Sequence, residues 1–173
     1  KTYNVTEIGA NAFYNCDTVR TVNIPSSVKK IDYSAFQNCD NLTSAVIPSS
    51  VTSIGSSAFS STGISSVYIY KGVSSIGYGA FSDCPNLTSI TVESGNSKYA
   101  TYNGVLYAKD MSTIISCPGG YSGSLNLSGL GVKEIGGNAF MGCEKLTSIT
   151  LPNTIQSIDI QAFRDSGIRS ISI

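Results

Sequence analysis

The side chains in this sequence best suited to metal binding or nucleophilic chemistry are its five cysteines, Cys16, Cys39, Cys84, Cys117 and Cys143. Zinc sites commonly contain Cys-x-x-Cys, a spacing that occurs nowhere in the chain. The chain also has no histidine, so it cannot form the ordinary Ser/His or Cys/His nucleophile pairs, nor supply the commonest metal ligand. We therefore expect no catalytic residues, no metal site and no cofactor, which indicates a protein that is not an enzyme.

The charge balance argues against two further classes of partner. Lysine plus arginine equals aspartate plus glutamate at 11 each, so no excess positive charge is available to bind nucleic acid or an anionic membrane. No run of about 18 apolar residues occurs, so we expect no direct membrane insertion. Only 13% of residues are charged, while serine, threonine, asparagine and glycine abound. This composition is more typical of exported proteins than of cytosolic enzymes.

Four of the cysteines belong to a repeated pattern, because each follows a phenylalanine by three positions. All six phenylalanines are preceded by alanine, and the gaps between them are 23, 23, 22, 59 and 23 residues. They are Phe13, Phe36, Phe59, Phe81, Phe140 and Phe163. This spacing predicts a repeat array over residues 1–173.

Each repeat reads Leu-x-x-Ile-x-Ile-Pro-x-x-Val-x-x-Ile-Gly-x-x-Ala-Phe-x-x-Cys. The alternating apolar residues, such as Val22 and Ile24, predict a short strand with one buried face. The Ala-Phe segment predicts one helical or 3₁₀ turn. One such coil cannot bury its own apolar edge, so the coils should stack into a solenoid with a shared core and a parallel sheet on one face.

The pattern is interrupted between residues 93 and 124. Residues 104–107 and 113–116 predict a β-hairpin that takes the place of the Ala-Phe corner in one enlarged coil. This insert is either a structural decoration or a protrusion that contacts a ligand. We expect five reduced thiols, because stacked cysteine side chains point the same way rather than at one another, and we expect Cys117 on the hairpin to be the most accessible.

These motifs resemble the BspA-like leucine-rich repeats of bacterial cell-surface proteins. The segments Pro25-Ser26-Ser27-Val28 and Pro48-Ser49-Ser50-Val51 are similar to the family's unit, and the hairpin repeat is similar to a variant within it. The resemblance implies a right-handed leucine-rich-repeat solenoid of the α/β type on a secreted or surface-anchored protein. It also implies frequent roles in adhesion to host or neighbouring cells, with no shared catalytic residues.

Candidate binding residues come from the open face of the predicted sheet, where most side chains are small and neutral. Tyr68 and Tyr70 depart from this rule, and tyrosine suits contacts with proteins or sugars. The alternative is that these tyrosines only stiffen the sheet. The full set of candidates is Val46, Tyr68, Tyr70, Lys71, Thr91 and Glu93 on this face, with Tyr107 on the hairpin as the next candidate.

Two functional hypotheses remain open. The first is an extracellular protein-interaction or adhesion module that binds a protein or glycan on host or neighbouring cells. The second is a passive spacer or stalk between other domains. Because the chain begins and ends within the repeat pattern, we expect a single array from a longer protein, either monomeric or making end-to-end contacts through uncapped termini.

Overall fold

The computed structural model describes residues 4–173, which form a β-solenoid of about seven turns. In chain order the strands are β1 Glu7–Ile8, β2 Thr21–Asn23, β3 Lys30–Ile31, β4 Ser44–Val46, β5 Ser53–Ile54, β6 Ser66–Ile69, β7 Ser75–Ile76, β8 Ser89–Val92, β9 Tyr99–Tyr102, β10 Val105–Ala108, β11 Thr113–Ser116, β12 Gly123–Asn126, β13 Glu134–Ile135, β14 Leu146–Thr150, β15 Ser157–Ile158 and β16 Ser170–Ser172. The predicted leucine-rich-repeat solenoid with parallel sheets is confirmed.

Each coil contributes one strand to each of two faces of the solenoid, and neighbouring strands within a face run parallel. We call the face made by β2, β4, β6, β8, β12, β14 and β16 the front sheet, and the face made by β1, β3, β5, β7, β11, β13 and β15 the back sheet. Equivalent residues pair across neighbouring coils, as in Ile31 with Ile54 on the back and Val67 with Ile90 on the front. This register stacks like side chains into the columns that the repeat predicts.

The front sheet is divided into three pieces. Its strands pair as β2–β4, β6–β8 and β12–β14–β16, with no pairing between β4 and β6 or between β8 and β12. At the second division the amide of Ile90 donates instead to the carbonyl of Gly104, in the β9–β10 turn. The first division has no such substitute among the strands that the structure describes, and it leaves an open groove.

The enlarged coil contains three antiparallel strands. β10 pairs with both β9 and β11. β11 pairs parallel with β13 and not with β7, so the back sheet is also divided at the enlarged coil. The sequence did not predict β9. The hairpin does not replace the corner as expected, because Cys117 holds the corner position: its amide donates to Ala139, just as that of Phe36 donates to Ala58.

The Ala-Phe corners are tight turns, and residues 4–173 contain no helix or 3₁₀ segment, contrary to our expectation for these corners. Each corner does contain i→i+3 hydrogen bonds, for example from the Ala35 amide to the Asp32 carbonyl. Left-handed residues lie two positions before and two after each phenylalanine, such as Ser34 at φ 51° and Asn38 at φ 58°. A right-handed helix cannot continue through them.

The core is divided into two clusters that meet at the enlarged coil. The rings of Phe13, Phe36, Phe59 and Phe81 stack with centroid separations of 5.0, 5.1 and 5.9 Å, and Phe140 stacks on Phe163 at 5.0 Å. Side chains of β10 alternate between the clusters: Leu106 belongs to the first, whereas Val105 and Tyr107 belong to the second. This one strand therefore joins the two halves of the core.

Candidate functional site

The candidate site is the groove at the open division of the front sheet, between β4 and β6. Its volume is about 280 Å³. The lining residues are Thr43, Ser44, Ala45, Val46, Ile47, Ser65, Ser66, Tyr68 and Tyr70. None of them is charged, so the groove offers hydroxyl groups, backbone groups and apolar surface to a ligand.

Two sequence features accompany the groove. Ala45 occupies the column held by Val22 and Val67 in the neighbouring coils, and its smaller side chain fills less of the space beneath the sheet. The next corner is a residue shorter and contains Gly63, where a Cβ would lie 2.6 Å from the Asp40 carbonyl oxygen. The coils are therefore in close contact at the corner while their front strands remain unpaired.

Tyr68 and Tyr70 form one wall of the groove. Tyr68 lies in β6 and Tyr70 directly follows this strand, and both residues line the groove. Their rings meet edge to face, with centroids 4.8 Å apart and planes at 65°. Tyr68 is 46% exposed, and Val46 on the opposite wall is 59% exposed. Tyr68 and Val46 thus expose apolar side chains on a face made mostly of small polar residues.

Buried contacts from the enlarged coil fix the backbone below Tyr70. Asn96 is only 1% exposed, and its Nδ2 donates to the carbonyls of Tyr70 and Val73 at 3.0 and 3.1 Å. Its Oδ1 accepts from the amides of Lys98 and Tyr99 at 2.8 Å each. The sequence showed Asn96 only as part of the hairpin repeat, because a buried amide that bridges coils has no local signature.

The remaining front-face candidates have separate environments. Thr91 is exposed and pairs with Tyr68 in the β6–β8 ladder. Glu93 accepts a hydrogen bond of 2.7 Å from the backbone amide of Lys71, so its carboxylate holds the turn after β6. The Lys71 side chain is exposed, and it makes no ion pair among the residues that the structure describes.

The structure corrects the assignment of Tyr107 as a ligand-contacting residue. Its side chain is 0% exposed and lies in the second core cluster. Burial raises the pKa of its phenol, whose oxygen has no hydrogen-bond partner. The alternating faces of β10 place Tyr107 inward, and the sequence could not show which face of the hairpin would be covered.

The cysteines also differ from expectation in their exposure. All five are free thiols, but Cys117 is buried, and only Cys16 is partly exposed. In the described part of the chain, no three or more cysteine or acidic side chains converge as a metal site would require.

The sequence matches the family described as the BspA type leucine rich repeat region, in six copies over residues 2–103 and 123–173. The chain belongs to this family. The residues between the two matched segments include β10 and β11 of the enlarged coil.

Several solved bacterial structures share the fold. The pneumococcal vaccine antigen PcpA superimposes with a TM-score of 0.79 at 24% identity, over 90% of this chain and 39% of its own. A leucine-rich cell surface protein from Faecalibacterium prausnitzii gives 0.74 at 28% identity, over 98% of this chain and 58% of its own. A leucine-rich repeat protein from Bacteroides ovatus gives 0.63 at 30% identity, over 95% and 39%.

This BspA-type chain thus spans 39% to 58% of the length of those three proteins. No curated protein matches it. Residues 4–173, the part of the chain that the structure describes, contain no helix that could cross a membrane.

Proposed function

We propose that this BspA-type repeat array is a protein-interaction module of a bacterial cell-surface protein, and that it binds its partner through the groove between β4 and β6. The observation that carries the proposal is the edge-to-face pair of an exposed Tyr68 and a half-buried Tyr70 on the wall of an uncharged, open groove. Aromatic side chains beside a depression are the residues that most often dominate binding energy at protein interfaces.

The family and the solved structures support the location and class of this function. One similar structure is described as a cell surface protein and another as a vaccine antigen. Leucine-rich-repeat solenoids are typically non-enzymatic scaffolds for protein contacts. We accordingly propose an extracellular, adhesive role toward host or neighbouring cells.

The test begins with an array of extracellular-matrix proteins and glycans, probed with the 173-residue chain. Affinity for any hit is then measured for Tyr68→Ala and Tyr70→Ala. Each should weaken binding by about 1 to 3 kcal/mol, which is the range of aromatic hot spots. The matched controls are Tyr33→Ala and Tyr78→Ala, because those tyrosines are at least as exposed but lie outside the front sheet.

The competing hypothesis is a passive spacer, which the small neutral side chains on the rest of the front sheet favour. A spacer predicts no reproducible hit on the array. If a hit is found but the Tyr68 and Tyr70 variants bind as tightly as the parent, the groove is not the binding site.

A further inference from the structure

The second core cluster contains two cysteines, Cys117 and Cys143, whose side chains lie beside each other. Neither is part of the proposed binding surface. Their proximity follows from the way in which the enlarged coil rejoins the repeat, and the sequence did not predict it because Cys117 lies outside the repeated cysteine positions.

The regular corners show why cysteines of neighbouring coils normally stay apart. In those corners the thiol points at the carbonyl of the phenylalanine in the preceding coil: Cys39 donates to Phe13 at 2.9 Å, and Cys84 to Phe59 at 3.1 Å. Each repeated cysteine therefore lies next to a phenylalanine position in the neighbouring coil.

Cys117 occupies this phenylalanine position in the enlarged coil. Its amide bonds to Ala139, as the amides of Phe36 and Phe140 bond to Ala58 and Ala162. Correspondingly, Cys143 Sγ lies 3.7 Å from the Cys117 carbonyl oxygen and 3.6 Å from that of Pro118. The repeat geometry that normally places a thiol beside phenylalanine here places it beside a second thiol.

We propose that Cys117 and Cys143 form a disulfide when the chain folds under oxidising conditions, linking the enlarged coil to the next regular coil. The remaining cysteines stay reduced. The residue whose carbonyl the thiol faces in the preceding coil is phenylalanine for Cys39 and Cys84, whereas for Cys143 it is a second cysteine.

The oxidation is a thiol–disulfide exchange with a small-molecule disulfide such as oxidised glutathione. One cysteine thiolate attacks a glutathione sulfur, forms a mixed disulfide and expels one glutathione thiolate. The second cysteine thiolate attacks the protein sulfur of the mixed disulfide and expels the other. The two cysteine protons end on the two released glutathiones, so two protein thiols are oxidised as one external disulfide is reduced.

Burial determines when this exchange occurs. Enclosure in the core raises the pKa of the Cys117 thiol well above its ordinary value, and the neighbouring Cys143 raises it further. The reactive thiolate is therefore scarce in the folded reduced protein. The bond should form during folding, before the second cluster closes, and should then resist reduction in the native state.

The experiment is oxidative refolding of the 173-residue chain in a glutathione buffer, followed by alkylation, trypsin digestion and mass spectrometry without reduction. Each cysteine falls in a different tryptic peptide, because lysine or arginine residues separate all five. We expect residues 110–133 and 134–145 as one disulfide-linked pair, with Cys16, Cys39 and Cys84 alkylated. Alkylation of both Cys117 and Cys143 after refolding, or a Cys16–Cys39 link instead, would overturn the proposal.

Thermal unfolding gives a second readout. Reduction in denaturant, followed by refolding without an oxidant, should lower the midpoint of the parent by roughly 5 to 10 °C, because the disulfide closes a loop of about 27 residues. The control Cys16→Ser should retain this shift, and Cys117→Ser should lose it. A shift that persists in folded Cys117→Ser would contradict the assignment, and the peptide mapping of the parent decides the question if that variant does not fold.

Discussion

The corner phenylalanines stack in the core, and the stability lost when one is replaced by alanine should vary with its position in the stack. Phe59 is fully buried between two rings, whereas Phe163 is partly exposed and contacts one. Phe59→Ala should lower the free energy of unfolding by about 3 to 5 kcal/mol, and Phe163→Ala by clearly less. Denaturant titration measures both, and equal losses would count against a core built by stacking.

Asn96 is a second single residue with a large expected effect. Its side chain makes four hydrogen bonds while buried, two of them to carbonyls of the neighbouring coil. Asn96→Ala should therefore lower stability by about 2 to 3 kcal/mol, since it leaves buried backbone groups without partners. The control is Asn86→Ala at an exposed turn. A similar loss of stability there would show that the effect does not come from the hydrogen bonds between coils.

The phenol of Tyr99 supplies one hydrogen bond on which the back sheet depends. Ile76 in β7 donates its amide to this phenol oxygen at 2.7 Å. Tyr99→Phe should cost about 1 to 2 kcal/mol in denaturant titration, because the amide loses its acceptor while the ring still packs. Tyr102→Phe, on the same strand but exposed, should be neutral, and a matching loss there would remove the special role of the phenol.

At the scale of elements, the groove between β4 and β6 depends on the small side chain at position 45. Ala45→Val restores the residue found at the same place in the neighbouring coils. It should raise stability by about 1 kcal/mol through added burial, while it narrows the groove and weakens binding. Thermal unfolding and the binding assay together test this. Unchanged affinity in a more stable variant would show that the groove is not the binding site.

The sequence predicted the repeated elements well because each repeat restates the same local preferences. The columns of Val, Ile, Leu and Phe determined the strands, the stacking and the parallel sheets. The left-handed corner residues were missed, since the amides of Ser34 and Asn38 are held by carbonyls of the next coil, at Ser56 and Ser60. The open division at Ala45 and the burial of Tyr107 and Cys117 were also missed, because they depend on contacts between coils that single-repeat patterns do not contain.

The molecule as a whole should have an unusual dependence of stability on pH. It lacks histidine, the only side chain that ordinarily titrates near neutrality, so its free energy of unfolding should be nearly constant from about pH 5 to 8. Burial raises the pKa of Cys84 from about 9 to about 11 and raises those of Cys117, Tyr99 and Tyr107. Raised folded-state pKa values mean that stability is lost as the pH rises.

For the reduced protein the loss should begin near pH 9, where the cysteines ionise in the unfolded chain, and continue through pH 11 as the tyrosines follow from about pH 10. Cys84 alone contributes roughly 2 to 3 kcal/mol of this difference. Denaturant titrations across this range should show a smaller decline for Cys84→Ala than for the parent. A decline of the same size in both would assign the effect to the tyrosines or to Cys117.

The shared strand β10 also limits how the gene for this array can change length. Regular repeats of 22 and 23 residues coexist, because a shorter corner absorbs the missing residue. β10 has no such freedom, since Leu106 faces one cluster while Val105 and Tyr107 face the other. A single-codon insertion just before it would turn every side chain to the opposite cluster. Insertions and deletions should therefore accumulate at the corners during evolution, while the alternation of β10 side chains between the two clusters is kept.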